Sequence, residues 1–401
     1  MAGSTATLGP SSTSSSTSSA LSNAQVATAA VNSGSAVVVL NAQAHAVANQ
    51  PQFPQLDVQG LENVNAHLTA AQNHANAWLN TYSGEVLNTL QGVVSFGELF
   101  TNLYGSLYQN AQNLGTQTTF NQNQISALIS EIKALQGQVQ SQLNLATQVY
   151  NDITTYSTDV NQDYSNFKTD YNTAQNQLGG DNGAIKDLQD KIDSENSALT
   201  KDALMIAGGA VGIVAGALCI AAGVLGEFES GGTSTLLIVA GISLVAAGGT
   251  VTGIGAKNYD DTLDEIRTDT VNLGNMQNEL KGLNALSGSL TNLTTAIGTT
   301  QGALQTLMTS WQQLDNGLAA VVSDLQSPED YLATLQQTDP TATPATVSII
   351  VSAELQTANQ DWQSALTNAK TLLGNLRNVT YLSTGSLPTQ QAILQSYQQA
   401  A

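Results

Sequence analysis

Residues 203–256 read ALMIAGGAVGIVAGALCIAAGVLG, then EFESGGTST, then LLIVAGISLVAAGGTVTGIGA. Two uncharged apolar arms flank a short acidic, Gly-rich turn that holds Glu227, Phe228, Glu229, Gly231 and Gly232. Each arm holds about 22 residues, and at a helical rise of ~1.5 Å per residue that is ~33 Å, enough to cross a hydrocarbon core of ~30 Å. Each carries about nine Leu, Ile or Val, worth roughly −3 to −5 kcal/mol towards insertion before the glycines and polar residues are counted. Insertion is therefore marginal, and an arm of this kind also folds away in water. In a helix, Gly208, Gly212 and Gly216 share one face of the first arm, and Gly249 and Gly253 share one of the second. Small residues at this spacing let helix backbones approach closely in lipid. They do the same in a buried soluble hairpin. The residues expected to enter the membrane or make oligomer contacts are Gly208, Gly212, Gly216, Leu218, Leu225, Leu236, Leu237, Ile242, Gly249 and Gly253.

The rest of the 401-residue chain is polar without being charged: 10% of residues are Asp, Glu, Lys or Arg, against roughly 25% in an ordinary soluble protein. Thirty acids against ten bases give a net charge of −20, which argues against a nucleic-acid partner. Electrostatic docking on anionic lipid is disfavoured too, so any membrane affinity comes from apolar burial. Cys219, inside the first arm, is the single cysteine, which excludes an intramolecular disulfide. The first twenty residues are a Ser/Thr-rich run expected to be disordered. They contain no recognisable signal peptide.

Helical periodicity fills most of the remaining chain. Leu21 to Ala48 is Ala/Val-rich, with Gly34 a weak point, and Pro51 and Pro54 break it. From Leu61 through Leu68, Trp78, Val86, Phe96 and Phe100 to Leu107, apolar residues recur at spacings of three and four. A second pattern runs from Ile125 through Ile153, Tyr156, Tyr164, Phe167 and Tyr171 to Leu199 and enters the first arm. A third leaves the second arm and keeps a beat of seven from Leu263 to Leu325. Pro328 ends it, a last long helix uses Val347 to Leu376, and the tail from Pro388 has room for one short helix. No stretch alternates with the period of two expected of a half-buried strand.

The expected fold is all-α: an elongated bundle of about five long helices, residues 21–202 and 257–401, with a central apolar helical hairpin, 203–256, carried as a head on the two longest. Acids gather on the helices beside that head, among them Asp152, Asp159, Asp163, Asp170, Asp260, Asp264 and Asp269. Read plainly they are solvated faces; a sharper reading lines a cation-favouring pore mouth. His67 and His74 lie seven apart on one helix face and read as packing or surface residues rather than metal ligands. No catalytic, cofactor-binding or metal-binding constellation is found, and no enzyme activity is expected.

The segment from Leu61 to Gln112, with Ala75, Trp78, Tyr82, Phe96 and Phe100, resembles the first long helix of the haemolysin BL and non-haemolytic enterotoxin family. The order of elements is similar as well: that helix, a heptad-rich helix, an apolar segment, a returning helix and a C-terminal helix. The likeness covers about residues 56–380. It implies a cytolysin A-like fold and a secreted, water-soluble, membrane-anchoring component that exposes its head, inserts in a target-cell lipid membrane and oligomerises, as homo- or hetero-oligomer with related components. Two other readings stay open: an integral two-span anchor with coiled-coil arms, and a soluble structural bundle whose hairpin never meets lipid.

Overall fold

The computed structural model describes residues 20–50, 52–53, 60–177, 218–230, 233–244, 275–377 and 380–383. Helix α1 (Ala24–Ala48) runs through Gly34 without a break. It buries Val26, Ala30, Val37, Leu40, Ala44 and Val47, a three-and-four rhythm that makes one apolar stripe. Helix α2 (Val64–Ala77) passes through a π-helical turn, Trp78–Tyr82, directly into α3 (Ser83–Gln112). After a connection that includes Gly115, α4 (Gln122–Gln177) follows, then α5 (Asn275–Gln326), a short α6 (Pro328–Gln336) and α7 (Pro344–Arg377). The longest of these, α4 with 56 residues and α5 with 52, are the two that flank the apolar stretch in sequence. Pro328 opens α6, where its missing N–H costs nothing.

The helical bundle is as the sequence predicts, but the centre of the apolar stretch is not helical. Leu218–Ser230 and Thr233–Leu244 are strands, β1 and β2, and Thr380–Ser383 is a third, β3. The expected helical hairpin is thus corrected to a β-hairpin over residues 218–244. The physical reason lies in the composition. A continuous run of Ile, Val, Leu, Ala and Gly has neither the period of a helix nor that of a half-buried strand, so its pattern does not choose between them. The β-branched Ile220, Val224, Ile238, Val239 and Ile242 favour the extended form. Residues 1–19, 201–217 and 245–256, the expected helices over 178–200 and 257–274, and the tail from Pro388 lie outside the described residues.

The chain divides into two compact units. The first comprises Met1–Val31, Asn88–Tyr150 and Ala303–Lys370. Its centre is a cluster of Phe96, Phe100, Trp311 and Trp362, each no more than 1% exposed. Trp311 and Trp362 stack with centroids 6.2 Å apart and planes 14° apart, and Phe96 sits 4.4 Å from Trp362 and 5.5 Å from Trp311. The segment leading into α1 is fastened to this cluster. Trp362 Nε1 donates to the Leu21 carbonyl at 3.1 Å, Ser22 Oγ to Asp361 at 2.6 Å, and Asn23 Nδ2 to the Ser310 carbonyl at 3.1 Å. Gly317 makes room for it: a methyl group there would come within 2.3 Å of the Ala20 carbonyl oxygen. At the α3–α4 connection, Gly115 N–H donates to Ser348 Oγ at 2.8 Å and ties the turn to the start of α7.

The second unit comprises Asn32–Leu87, Asn151–Gly302 and Thr371–Ala401. Here the π-turn adds a residue to one turn of helix. It sets Trp78 and Tyr82 against the same partner, Tyr156, at 5.4 and 5.1 Å. Trp78 Nε1 donates to Asn41 Oδ1 of α1 at 2.7 Å, so the buried indole is satisfied. Gly60, just before α2, has φ +92°, a conformation open to glycine and strained for other residues.

Candidate functional site: the apolar head and the helices beside it

The centre of the apolar stretch is a two-stranded antiparallel ladder running from Leu218↔Leu244 to Ser230↔Thr233. That last pair leaves two residues, Gly231 and Gly232, between the strands, the composition that two-residue hairpin loops demand. Beside them Glu227 pairs with Leu236 and Glu229 with Ser234. The register shifts between Val224 and Gly226, so Leu225 is an extra residue in β1, a bulge. β3 pairs in parallel with Cys219–Ala222 of β1, and the strand order is β2-β1-β3.

Five of the expected membrane-active residues fall within this ladder. Leu218 is opposite Leu244, and Ile242 is opposite Ile220. Leu236 and Leu237 face Glu227 and Gly226 in register, and Leu225 is the bulge. Gly208, Gly212, Gly216, Gly249 and Gly253 lie outside the described residues.

The helices of the second unit hold a feature that the sequence reading missed. Asp163 and Asp170 were expected on a solvated face; they are 2% and 3% exposed. His74 Nδ1 is 2.7 Å from Asp163 Oδ2, and His67 Nδ1 is 2.7 Å from Asp170 Oδ2. The two pairs stand one heptad apart on both α2 and α4, and together they join the helices. His67 also meets Phe167 edge-on at 6.4 Å. The signal was present in the sequence. Asp163 falls between Val160 and Phe167, and Asp170 between Phe167 and Ala174, at the three-and-four spacing of the buried stripe; Tyr164 and Tyr171 are one residue off it. A carboxylate on a core stripe needs a partner, and the two flanking histidines of α2 supply it.

Burial pushes the Asp163 and Asp170 carboxyls above the ordinary carboxylate range, and the histidine hydrogen bonds only partly offset it. Asp159 adds to the rise at Asp163. Nearby, burial and then Asp152 raise Glu85. The Tyr156 hydroxyl, buried without a hydrogen-bond partner, is raised by burial and by Asp163, Tyr82 and Asp159. An acid whose folded pKa lies above its unfolded value holds a proton more firmly in the folded state. Its contribution therefore favours folding at low pH and is lost as pH rises through the folded value. We expect these two carboxyls to favour the folded state increasingly as pH falls through their raised folded values towards the ordinary carboxylate range. The Asp163→Asn, Asp170→Asn double variant should show a shallower slope in melts followed by circular dichroism. A steeper slope in the variant would contradict this assignment. Among the described residues, no group of three or more His, Cys, Asp or Glu side chains is placed to hold a metal ion.

The fold is shared with components of α-pore-forming toxins whose structures are known. The structure aligns with soluble AhlB of the tripartite α-pore-forming toxin AHL of Aeromonas hydrophila, with TM-score 0.71, 18% identity, and 93% of this chain and 99% of that one covered. It aligns with soluble SmhB of the tripartite toxin Smh of Serratia marcescens (0.70, 14%, 94% and 99%) and with the Bacillus cereus HblL1 toxin component (0.63, 18%, 86% and 95%). Residues 20–202 match the model of the Bacillus haemolytic enterotoxin (HBL) family. No curated protein sequence matches the chain.

Proposed function

We propose that the protein is a secreted component of an α-helical pore-forming toxin. It carries its apolar head folded in water, inserts it into a target-cell membrane, and assembles there with related components. The observation that carries this reading is the hairpin itself: 25 residues, β1 with 13 and β2 with 12, holding only Glu227 and Glu229 as charges, within a helical bundle. No catalytic step belongs to this reading. An open sheet is not a membrane-spanning structure, because the N–H and C=O groups along its edges find no partner in hydrocarbon, at several kcal/mol each. The β form is therefore the water-borne state, and insertion requires residues 203–256 to take another form. As helices, the two arms satisfy their own backbone, and each is long enough to cross. The tripartite composition of the AHL and Smh toxins supports a hetero-oligomer with related components. The integral two-span reading is less favoured: β1 and β2 occupy the inner halves of both arms, and among the described residues no helix is long and apolar enough to cross a membrane.

The test is co-flotation of detergent-free protein with phosphatidylcholine–cholesterol vesicles. The intact chain should start soluble and float, and a chain lacking residues 203–256 should stay at the bottom of the gradient. Flotation is chosen over dye leakage because a component that needs partners binds without leaking. An intact chain that never floats, over a range of lipids and pH, would overturn the proposal in favour of a soluble scaffold.

A further inference from the structure

β1 is the central strand of its sheet: one edge is taken by β2, the other by four residues of the C-terminal segment. The pairs are Cys219↔Thr380, Ile220↔Tyr381, Ala221↔Leu382 and Ala222↔Ser383. Two facts make this more than edge decoration. A parallel pair cannot close by a local turn, and here it joins residues about 160 apart in the chain. In addition, α7 ends at Arg377, only three residues before Thr380. Three residues reach at most ~11 Å, and a strand spacing adds ~5 Å, so while β3 stays on β1, the inner half of the first apolar arm is moored within ~16 Å of the end of a long helix. The moored residues, 219–222, contain no charge and lie within the stretch that must leave the bundle.

We propose that β3 is a strap that holds the apolar head in its water-borne form, and that its four rungs on β1 break before residues 203–256 enter lipid. This rests on the membrane-active reading given above. The strap recognises backbone rather than side chains, so its partner is fixed by register and by the short leash to α7. Breaking it frees the edge of β1 and unmoors the first arm in one step.

The lone cysteine offers a direct test, because Cys219 is the register partner of Thr380. Neighbouring strands lie ~4.7–4.9 Å apart, inside the range of Cα separations that a disulfide spans. Thr380→Cys, treated with diamide, should form a bond between Cys219 and the introduced thiol: two thiols lose two protons and two electrons, and the diamide is reduced. On the same phosphatidylcholine–cholesterol vesicles, the oxidised protein should float about tenfold less than the identical sample after dithiothreitol. A Cys219→Ser, Thr380→Cys control should ignore both reagents. Absence of the cross-link, or equal flotation of the oxidised and reduced forms, overturns the strap. Failure of the reduced protein and of the native chain alike removes the membrane reading, and the strap with it.

Discussion

Trp362→Ala should be among the most destabilising single changes in the protein, at ~3–5 kcal/mol, the range for truncating a buried indole. The side chain is 1% exposed and touches Phe96, Phe100 and Trp311 at once, so its removal opens a cavity that three rigid rings cannot close by rotating. It also removes the donor that holds the Leu21 carbonyl and with it the segment 20–23. Trp362→Phe separates the two effects. It restores most of the ring volume but not the N–H, and should cost ~1 kcal/mol for the hydrogen bond plus whatever the smaller ring leaves unfilled. Chemical denaturation gives both values. Hydrogen exchange should show faster opening at residues 20–31 and along α7 in the alanine variant. A loss below ~1 kcal/mol for Trp362→Ala would mean that the aromatic cluster is not the centre of the first unit.

Leu237→Asp should abolish membrane binding while leaving the water-borne protein folded. On insertion scales Leu contributes about −0.3 to −0.6 kcal/mol and Asp about +2.5 to +3.5 at a helix centre; Leu237 is the second residue of its arm and meets part of that swing, roughly tenfold or more in partitioning, against an arm whose insertion is marginal. In the water-borne form the same residue lies opposite Gly226 in the ladder, where it meets no acidic neighbour across the strand. Thr235→Asp, two residues nearer the loop and opposite Phe228, adds the same charge to the already acidic turn and should float like the native chain. Unchanged far-ultraviolet spectra in both variants establish that the fold is intact. If Leu237→Asp floats as well as Thr235→Asp, the second arm is not what enters lipid.

The helices were legible because their apolar residues carry a period. The beat from Leu283 to Leu325 became α5, and the stripe from Leu61 to Leu107 became α2, the π-turn and α3. The hairpin was not legible in the same way, since a run that is apolar at every position has no period to read. Its one local signature was Ser230-Gly-Gly-Thr233, a two-residue loop between two apolar runs. That signature had been absorbed into the turn of a helical hairpin. The histidine–aspartate pairs were missed for a different reason. His67 and His74 were noted on one face of α2, and Asp163 and Asp170 among the acids of α4, but their meeting depends on helices some hundred residues apart in the chain packing in one register. β3 depends on a longer-range meeting still, and nothing in the four residues TYLS announces it.

A heptad repeat is indifferent to a slip of seven. Leu283, Leu290, Ile297, Leu304, Trp311, Leu318 and Leu325 are all buried at one spacing along α5, so a slide of ~10.5 Å would carry most layers onto equivalent layers. Two positions break that symmetry. Thr300, fully buried, turns its hydroxyl back to the Ala296 carbonyl at 3.0 Å, and Trp311 stacks on Trp362. No other tryptophan lies on α5 or α7 to form that stack one heptad away. The stack therefore works as a ratchet tooth: it selects one alignment of α5 on α7 from a series that the leucines alone leave nearly degenerate.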